Sequence, residues 1–213
     1  MQTNVSPTRM QLQKLKRRYA VARRGHKLLK DKLDELLKNF MELVRRNRDL
    51  RTAVDAALAE AFTGFTVARA VMSSAAVEEA LMFPKERASV TASSRNLMSV
   101  QVPTLKWDFE EQKDRSQIYP YGFALTSVEL DRAIKLLSDT MPLLIELAEV
   151  EKSVELLAEA IEGTRRRVNA LEHILIPQLE TDIKYIRMKL EEAERSNLTR
   201  LMKVKDIVRA KSI

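Results

Sequence analysis

Leu12–Ala61 reads LQKLKRRYAVARRGHKLLKDKLDELLKNFMELVRRNRDLRTAVDAALAEA, and stepping along it by three and four in turn meets an almost unbroken apolar line. The positions are Leu12, Leu15, Tyr19, Ala22, His26, Leu29, Leu33, Leu36, Phe40, Leu43, Asn47, Leu50, Val54, Ala57 and Ala61. Only His26 and Asn47 are polar. A 3.5-residue repeat kept over this length drifts around a straight helix, so it calls for a partner helix and a left-handed supercoil. Ser6-Pro7 suits the start, with a capping hydroxyl and a proline whose φ fits the first turn. No proline follows until Pro84, and the pattern predicts a helix from about Pro7 to the mid-70s, roughly 100 Å long at 1.5 Å per residue.

A second seam lies near the other end. Leu147, Val150, Val154, Leu157, Ile161, Thr164, Val168, Leu171, Leu175, Leu179, Ile183, Ile186 and Leu190 carry it, and Ala193, Asn197, Leu201, Val204 and Val208 extend it. Three successive steps of four, Leu171 to Leu175 to Leu179 to Ile183, interrupt the heptad, and Pro177 sits among them. A slackened supercoil and a kink near Pro177 are expected, with a similar bend at Pro142. The helix is expected to begin at Thr126 or Ser127, with Glu129 placed to complete a cap.

Between the seams the period changes. Residues after Met72 either continue the first helix or begin another, and Phe83-Pro84 ends it. Alternation through Val90 and again through Met98, Val100 and Val102 predicts a β-hairpin over about 88–103, turning at Ser94-Arg95-Asn96 and stopped by Pro103. Trp107, Phe109, Tyr119, Tyr121 and Phe123 are read as a small aromatic core capping that hairpin, in preference to a base-stacking surface, since acids are common around them.

The reading is therefore an all-α chain: a long antiparallel two-helix coiled coil with a small β-hairpin and irregular lobe at its hinge end. Its parts are residues 1–75, a hinge lobe over 76–125, and residues 126–213. Two parallel homodimeric coils compete with this arrangement. The intramolecular pair is preferred because each seam finds its partner without a concentration-dependent step. Leu29, Leu36, Phe40, Leu171, Ile183 and Leu190 would set the register, with Asn47 as the polar residue that either fixes it or marks a local gap in the packing.

Composition agrees with exposed helices: 213 residues, 4 Gly, 6 Pro and 31% charged. With no Cys, neither disulfide nor thiolate metal site is available, and His26 and His173 cannot close an ordinary zinc site. No metal or cofactor is expected. No apolar run is long enough to span a membrane, and the basic N-terminal stretch carries the seam through it, so it reads as helix rather than as a presequence. A chain without membrane insertion, in the cytoplasm, is the expectation. The net charge of +7 is uneven, with nine Lys/Arg and no acid in residues 1–30. Antiparallel pairing would put both basic ends at one tip, fit for nucleic acid, an anionic membrane or an acidic protein surface. There is no glycine-rich phosphate loop and no hydrolase or zinc-protease motif. Arg165, Arg166 and Arg167 project about 100° apart around a helix, which suits either a body touched from several sides or a plain solvated run.

Two stretches resemble a known family. Ser6-Pro7-Thr8-Arg9 with Leu12, Leu15-Lys16 and Gly25-His26-Lys27-Leu28-Leu29-Lys30-Asp31-Lys32 is similar to the opening of the D subunit of V-type and archaeal-type rotary ATPases. Thr164-Arg165-Arg166-Arg167-Val168-Asn169-Ala170-Leu171-Glu172-His173-Ile174-Leu175-Ile176-Pro177 resembles that family's C-terminal signature, and Asn96 to Pro103 the hairpin of its bacterial members. The resemblance implies a non-catalytic central-stalk rotor shaft that binds no nucleotide itself. Its expected partners are the A and B subunit hexamer, the small F subunit and a funnel-shaped C/d subunit above the membrane rotor ring, with H⁺ or Na⁺ as the transported ion. It implies a location peripheral to the cell membrane through that complex. Arg17, Arg18, Arg23, Arg24, Arg165, Arg166 and Arg167 are the expected hexamer contacts. A basic coiled-coil scaffold or nucleic-acid-binding protein is the alternative.

Overall fold

A computed structural model describes residues 6–82, 88–109, 119–122 and 126–211. Its elements are α1 (Arg9–Val71), α2 (Ser74–Leu81), β1 (Ala88–Leu97), β2 (Val100–Phe109), α3 (Val128–Ala170), a π-helical turn (Leu171–Leu175) and α4 (Ile176–Lys211). The chain is mostly helical, with one small antiparallel sheet between the long helices. It divides into two compact units, Met1–Glu35 with Glu162–Ile213, and Leu36–Ile161.

Local chemistry sets the element ends. Thr8, not Ser6, caps α1: its hydroxyl accepts the Gln11 N–H at 3.2 Å and its carbonyl the Leu12 N–H at 3.0 Å. Pro7 would have suited a helix capped by Ser6, but Thr8, the residue after it, supplies the better-placed oxygen. Ser73 breaks the helical run and caps α2 through Ala76 N–H, so the stretch after Met72 is a new helix. Ser127 caps α3 by accepting the Leu130 N–H on both its carbonyl and its hydroxyl. The expected end at Phe83-Pro84 lies outside the described residues.

In the first unit, Leu15, Ala22, Leu179 and Ile186 form the buried stripe, and Leu12, Tyr19, Ile176, Ile183 and Leu190 pack on it. Arg9 meets Glu194, Tyr19 meets Glu180 and His26 meets Glu172, so partner numbers fall as α1 numbers rise. That is an antiparallel pair. Around Pro177 the seam differs from the expected one at a single place. Leu175 stands 41% exposed, whereas Ile176 packs on the stripe. The cause is the π turn, in which Ile176 N–H donates to the Leu171 carbonyl five residues back. One extra residue in that turn changes the steps from four-four-four to five-three-four, which swings Leu175 out and Ile176 in. Pro177 follows directly; in a regular helix its ring would press on the His173 carbonyl, and a widened turn relieves this. Beyond Leu190 the expected seam is not buried: Ala193, Asn197, Leu201, Val204 and Val208 are exposed, because α1 begins at Arg9, level with Glu194.

In the second unit, Leu36, Val54, Val150 and Leu157 are buried, and Phe40, Leu43, Asn47 and Leu50 are partly so. Arg46 pairs with Glu146, Arg51 with Glu151 at 3.3 Å, and Glu60 with Arg132 at 2.6 Å. Thr140 and Ser153, buried on α3, satisfy their hydroxyls on carbonyls four residues back. Ala68, Ala80 and Leu130 tie α1, α2 and α3 together, and Tyr121 packs on them while donating to Asp131 at 2.7 Å. Tyr121 thus belongs to this helical cluster. Its ring lies 6.1 Å from that of Tyr119. Phe123 and the Phe109 side chain fall outside the description.

The hairpin is longer than the alternation predicted. The strands pair from Ala88↔Phe109 to Leu97↔Val100, and the turn is Met98-Ser99 rather than Ser94-Arg95-Asn96. Both turn residues have positive φ, 52° and 74°, the primed geometry that matches strand twist. No glycine advertises it; Asn96, just outside, holds it by accepting the Ser99 N–H at 2.8 Å. Pro103 sits inside β2 opposite Ser94 and does not stop the strand. Counting from the closing pair, Val100, Val102 and Thr104 are the β2 positions that bond to β1, so an N–H at 103 would have faced away and no ladder bond is lost. The same outer edge presents Leu105 N–H to Glu149 of α3 at 2.8 Å, and Met98 accepts from Asn39 of α1 at 3.2 Å. Val102 is the hairpin's buried anchor at 1% exposure, while Val90 is half exposed.

Replacing Leu157 by Ala should cost about 2–5 kcal/mol in urea unfolding. Ile176→Ala should destabilise the chain more than Leu175→Ala, which should stay within about 0.5 kcal/mol as a surface change. The reverse order would restore the four-four-four seam.

Candidate interaction surface

The first unit holds most of the chain's basic character. It carries 22 Lys/Arg against 11 Asp/Glu, a net +11, while Leu36–Ile161 carries 15 against 19, a net −4. The seam leaves only the outward helix faces for these charges, so they line the surface instead of converging on a pocket.

Arg17, Arg18, Arg23 and Arg24 are exposed on α1, and Arg165, Arg166 and Arg167 on α3. Arg23 lies over the Tyr19 ring at 5.9 Å, and Arg24 Nε donates to the Ala20 carbonyl at 3.4 Å. Arg166 pairs with Glu162 one turn back at 3.3 Å. Arg17, Arg18, Arg165 and Arg167 make no ion pair among the described residues. Since Glu172 meets His26, the Arg165–Arg167 belt stands level with α1 residues a few places beyond Lys27. The α1 arginines and the belt are therefore spaced along the unit rather than gathered at one point.

Polar clasps between the helices escaped the sequence pattern. Tyr19 Oη donates to Glu180 at 2.5 Å, and that bond, more than burial, raises the phenol's pKa. His26 Nε2 lies 3.2 Å from Glu172 Oε2, with the histidine 21% exposed. His173 is exposed. Only the facing numbers of the two helices, once aligned, would have revealed these pairs.

No group of three or more metal-ligating side chains occurs among the described residues. No helix among them is long and apolar enough to cross a membrane. An open cleft of about 410 Å³ lies in the second unit, lined by Phe65, Arg69, Ser74, Val77, Glu78, Leu81 and Met82, where the Ser74 hydroxyl donates to Glu78 one turn further along α2 at 3.5 Å.

The seam residues Leu12 and Leu15, the exposed Arg165–Arg167 belt and the π turn just before Pro177 are the structural form of the two family-like stretches. The family model for the ATP synthase D subunit matches residues 11–206. This chain belongs to the ATP synthase D-subunit family. A V-type ATP synthase D subunit from Acetivibrio thermocellus is 60% identical over 96% of the chain and 91% of its own length. Those from Clostridium novyi and Clostridioides difficile are each 55% identical, over 96% and 99% of this chain and 95% and 94% of their own. The D-subunit match runs through α1, the hairpin, α3 and α4 alike, so it covers every element that carries the basic surface.

Tyr121 gives this D-subunit chain a pH dependence. Burial, then the Asp131 bond, pushes its phenol up from 10.0. A folded-state value above the unfolded one adds stability that is complete below pH 10 and is lost as pH rises through the folded value. Urea unfolding between pH 8 and 11 should show stability falling above pH 10, and Tyr121→Phe should flatten part of that fall.

Proposed function

We propose that this chain is the central-stalk rotor shaft of a V-type or A-type ATPase. In that role it passes torque between an A/B catalytic hexamer and a membrane rotor ring, and so couples ATP hydrolysis or synthesis to H⁺ or Na⁺ transport. ATP is bound and cleaved on the partner subunits. The small F subunit and a funnel-shaped C/d subunit complete its contacts, and the complex holds it at the cytoplasmic face of the cell membrane.

The observation that carries this reading is the +11 first unit, with its exposed arginines distributed around helix faces. A shaft must lean on successive subunits without locking to one. Solvated cation contacts of about 0–1 kcal/mol each allow that, where a deep apolar interface would hold one orientation. Arg165, Arg166 and Arg167, pointing about 100° apart, offer a cation to each side in turn. The buried seam supplies stiffness, since close-packed side chains transmit strain.

The same basic surface would also suit nucleic acid, whose binding weakens steeply with salt. Retention of the purified chain on DNA at low salt, with no association to A and B subunits, would favour that alternative.

The test is the triple change of Arg165, Arg166 and Arg167 to Ala in the assembled complex. Assembly should persist and ATP hydrolysis continue, while ion transport per ATP falls severalfold, in keeping with loss of up to about 3 kcal/mol of weak contacts. Unchanged transport per ATP would remove these arginines from the mechanism.

A further inference from the structure

Leu175 and Ile176 are adjacent, both are apolar, and only one is seated. Between Leu171 and Ile183 lie 12 residue steps. The observed path divides them as five, three and four, through Ile176 and Leu179. A regular helix would divide the same number as four, four and four, through Leu175 and Leu179. Both paths begin at Leu171 and end at Ile183, so either can exist without shifting Leu179 or Ile183 from the stripe.

We propose that the Leu171–Leu175 turn is a two-state register switch, in which Leu175 and Ile176 alternate in one position of the seam. In the observed state the surplus residue is held in a single wide turn, with Ile174 65% and Leu175 41% exposed. In the other it is spread over three turns of four, which relaxes the local supercoil. The exchange redistributes twist over a short segment and leaves the packing on either side in place. Pro177 biases the balance toward the wide turn, because a regular helix would set its ring against the His173 carbonyl. Glu172, at the start of the turn, is held by His26 across the pair in the observed state.

Use of the switch as a torsional yield point rests on the shaft reading; the exchange itself does not. A two-state element of this kind answers an applied twist by a shift in population, the energy coming from the differential load on the two forms.

The chain has no cysteine, so a single thiol introduced at position 176 reports the exchange through its reaction with a chromogenic aromatic disulfide. In full-length Ile176→Cys the thiol, partly buried against the stripe, should react severalfold more slowly than in Leu175→Cys. Adding Leu175→Asn, which cannot fill the seam, should slow the Ile176→Cys thiol further. Adding Pro177→Ala should speed it severalfold, toward the Leu175→Cys rate. If Leu175→Asn and Pro177→Ala both leave that thiol's rate unchanged, the switch does not exist. Should a cysteine variant fail to fold, hydrogen exchange of the Ile176 amide in cysteine-free Pro177→Ala decides instead, and an unchanged pattern there overturns the proposal. In the assembled complex, Pro177→Ala should alter transport per ATP; an unaltered ratio alongside accelerated labelling keeps the switch and removes its mechanical use.

Discussion

Everything in this molecule depends on the burial of a 3.5-residue apolar seam against a second helix running the other way. A helix as long as α1, 63 residues, gains little from intrinsic propensity at Gly25 or Gly64 and needs tertiary packing to persist. In the first unit Leu15 and Ala22 meet Leu179 and Ile186; in the second, Leu36 and Val54 are buried with Val150 and Leu157. Cross-helix ion pairs decorate the edges but are mostly more than a third exposed, so they contribute register more than stability. With the apolar residues committed to the seam, the outward faces are left to charge, and in the first unit that charge is basic.

The long helices, their pairing sense and the α3 cap were legible because each rests on a local rule. Every seam position from Leu12 to Ala61 is buried or partly buried. Ser127 caps α3, one of the two residues the pattern offered. The errors in the seam and the hairpin share a cause: a pattern read by side-chain type cannot see where the backbone inserts a residue or turns with positive φ. Four-four-four across Leu171–Ile183 signalled a disturbance, yet whether the helix would spread the surplus or collect it in one π turn depends on Pro177 and on which of Leu175 and Ile176 fits the facing stripe. Likewise the Met98-Ser99 turn lacks the Asn-Gly signature, and Ser94-Arg95-Asn96 looked more turn-like than the residues that bend.

The basic surface was visible as charge in the sequence, but its arrangement was not. Antiparallel pairing gathers the basic ends of the chain into one unit, leaving the other net acidic. The placement of Arg17, Arg18, Arg23, Arg24 and the Arg165–Arg167 belt along that unit follows from the offset that sets His26 opposite Glu172. In the proposed role a chain of this kind has no need of a site that grips. That role calls for no preferred partner orientation, which exposed guanidinium groups on a packed seam would suit.

The most direct test of this account is a spin-label distance between Ala20 and Gln178, both exposed on the first unit's paired helices, in the otherwise cysteine-free chain. Antiparallel pairing within one chain predicts a short separation, on the order of the 8–10 Å between packed helix axes plus the label arms, and unchanged by excess unlabelled protein. A long separation, or a short one that disappears on dilution with unlabelled chains, would contradict it.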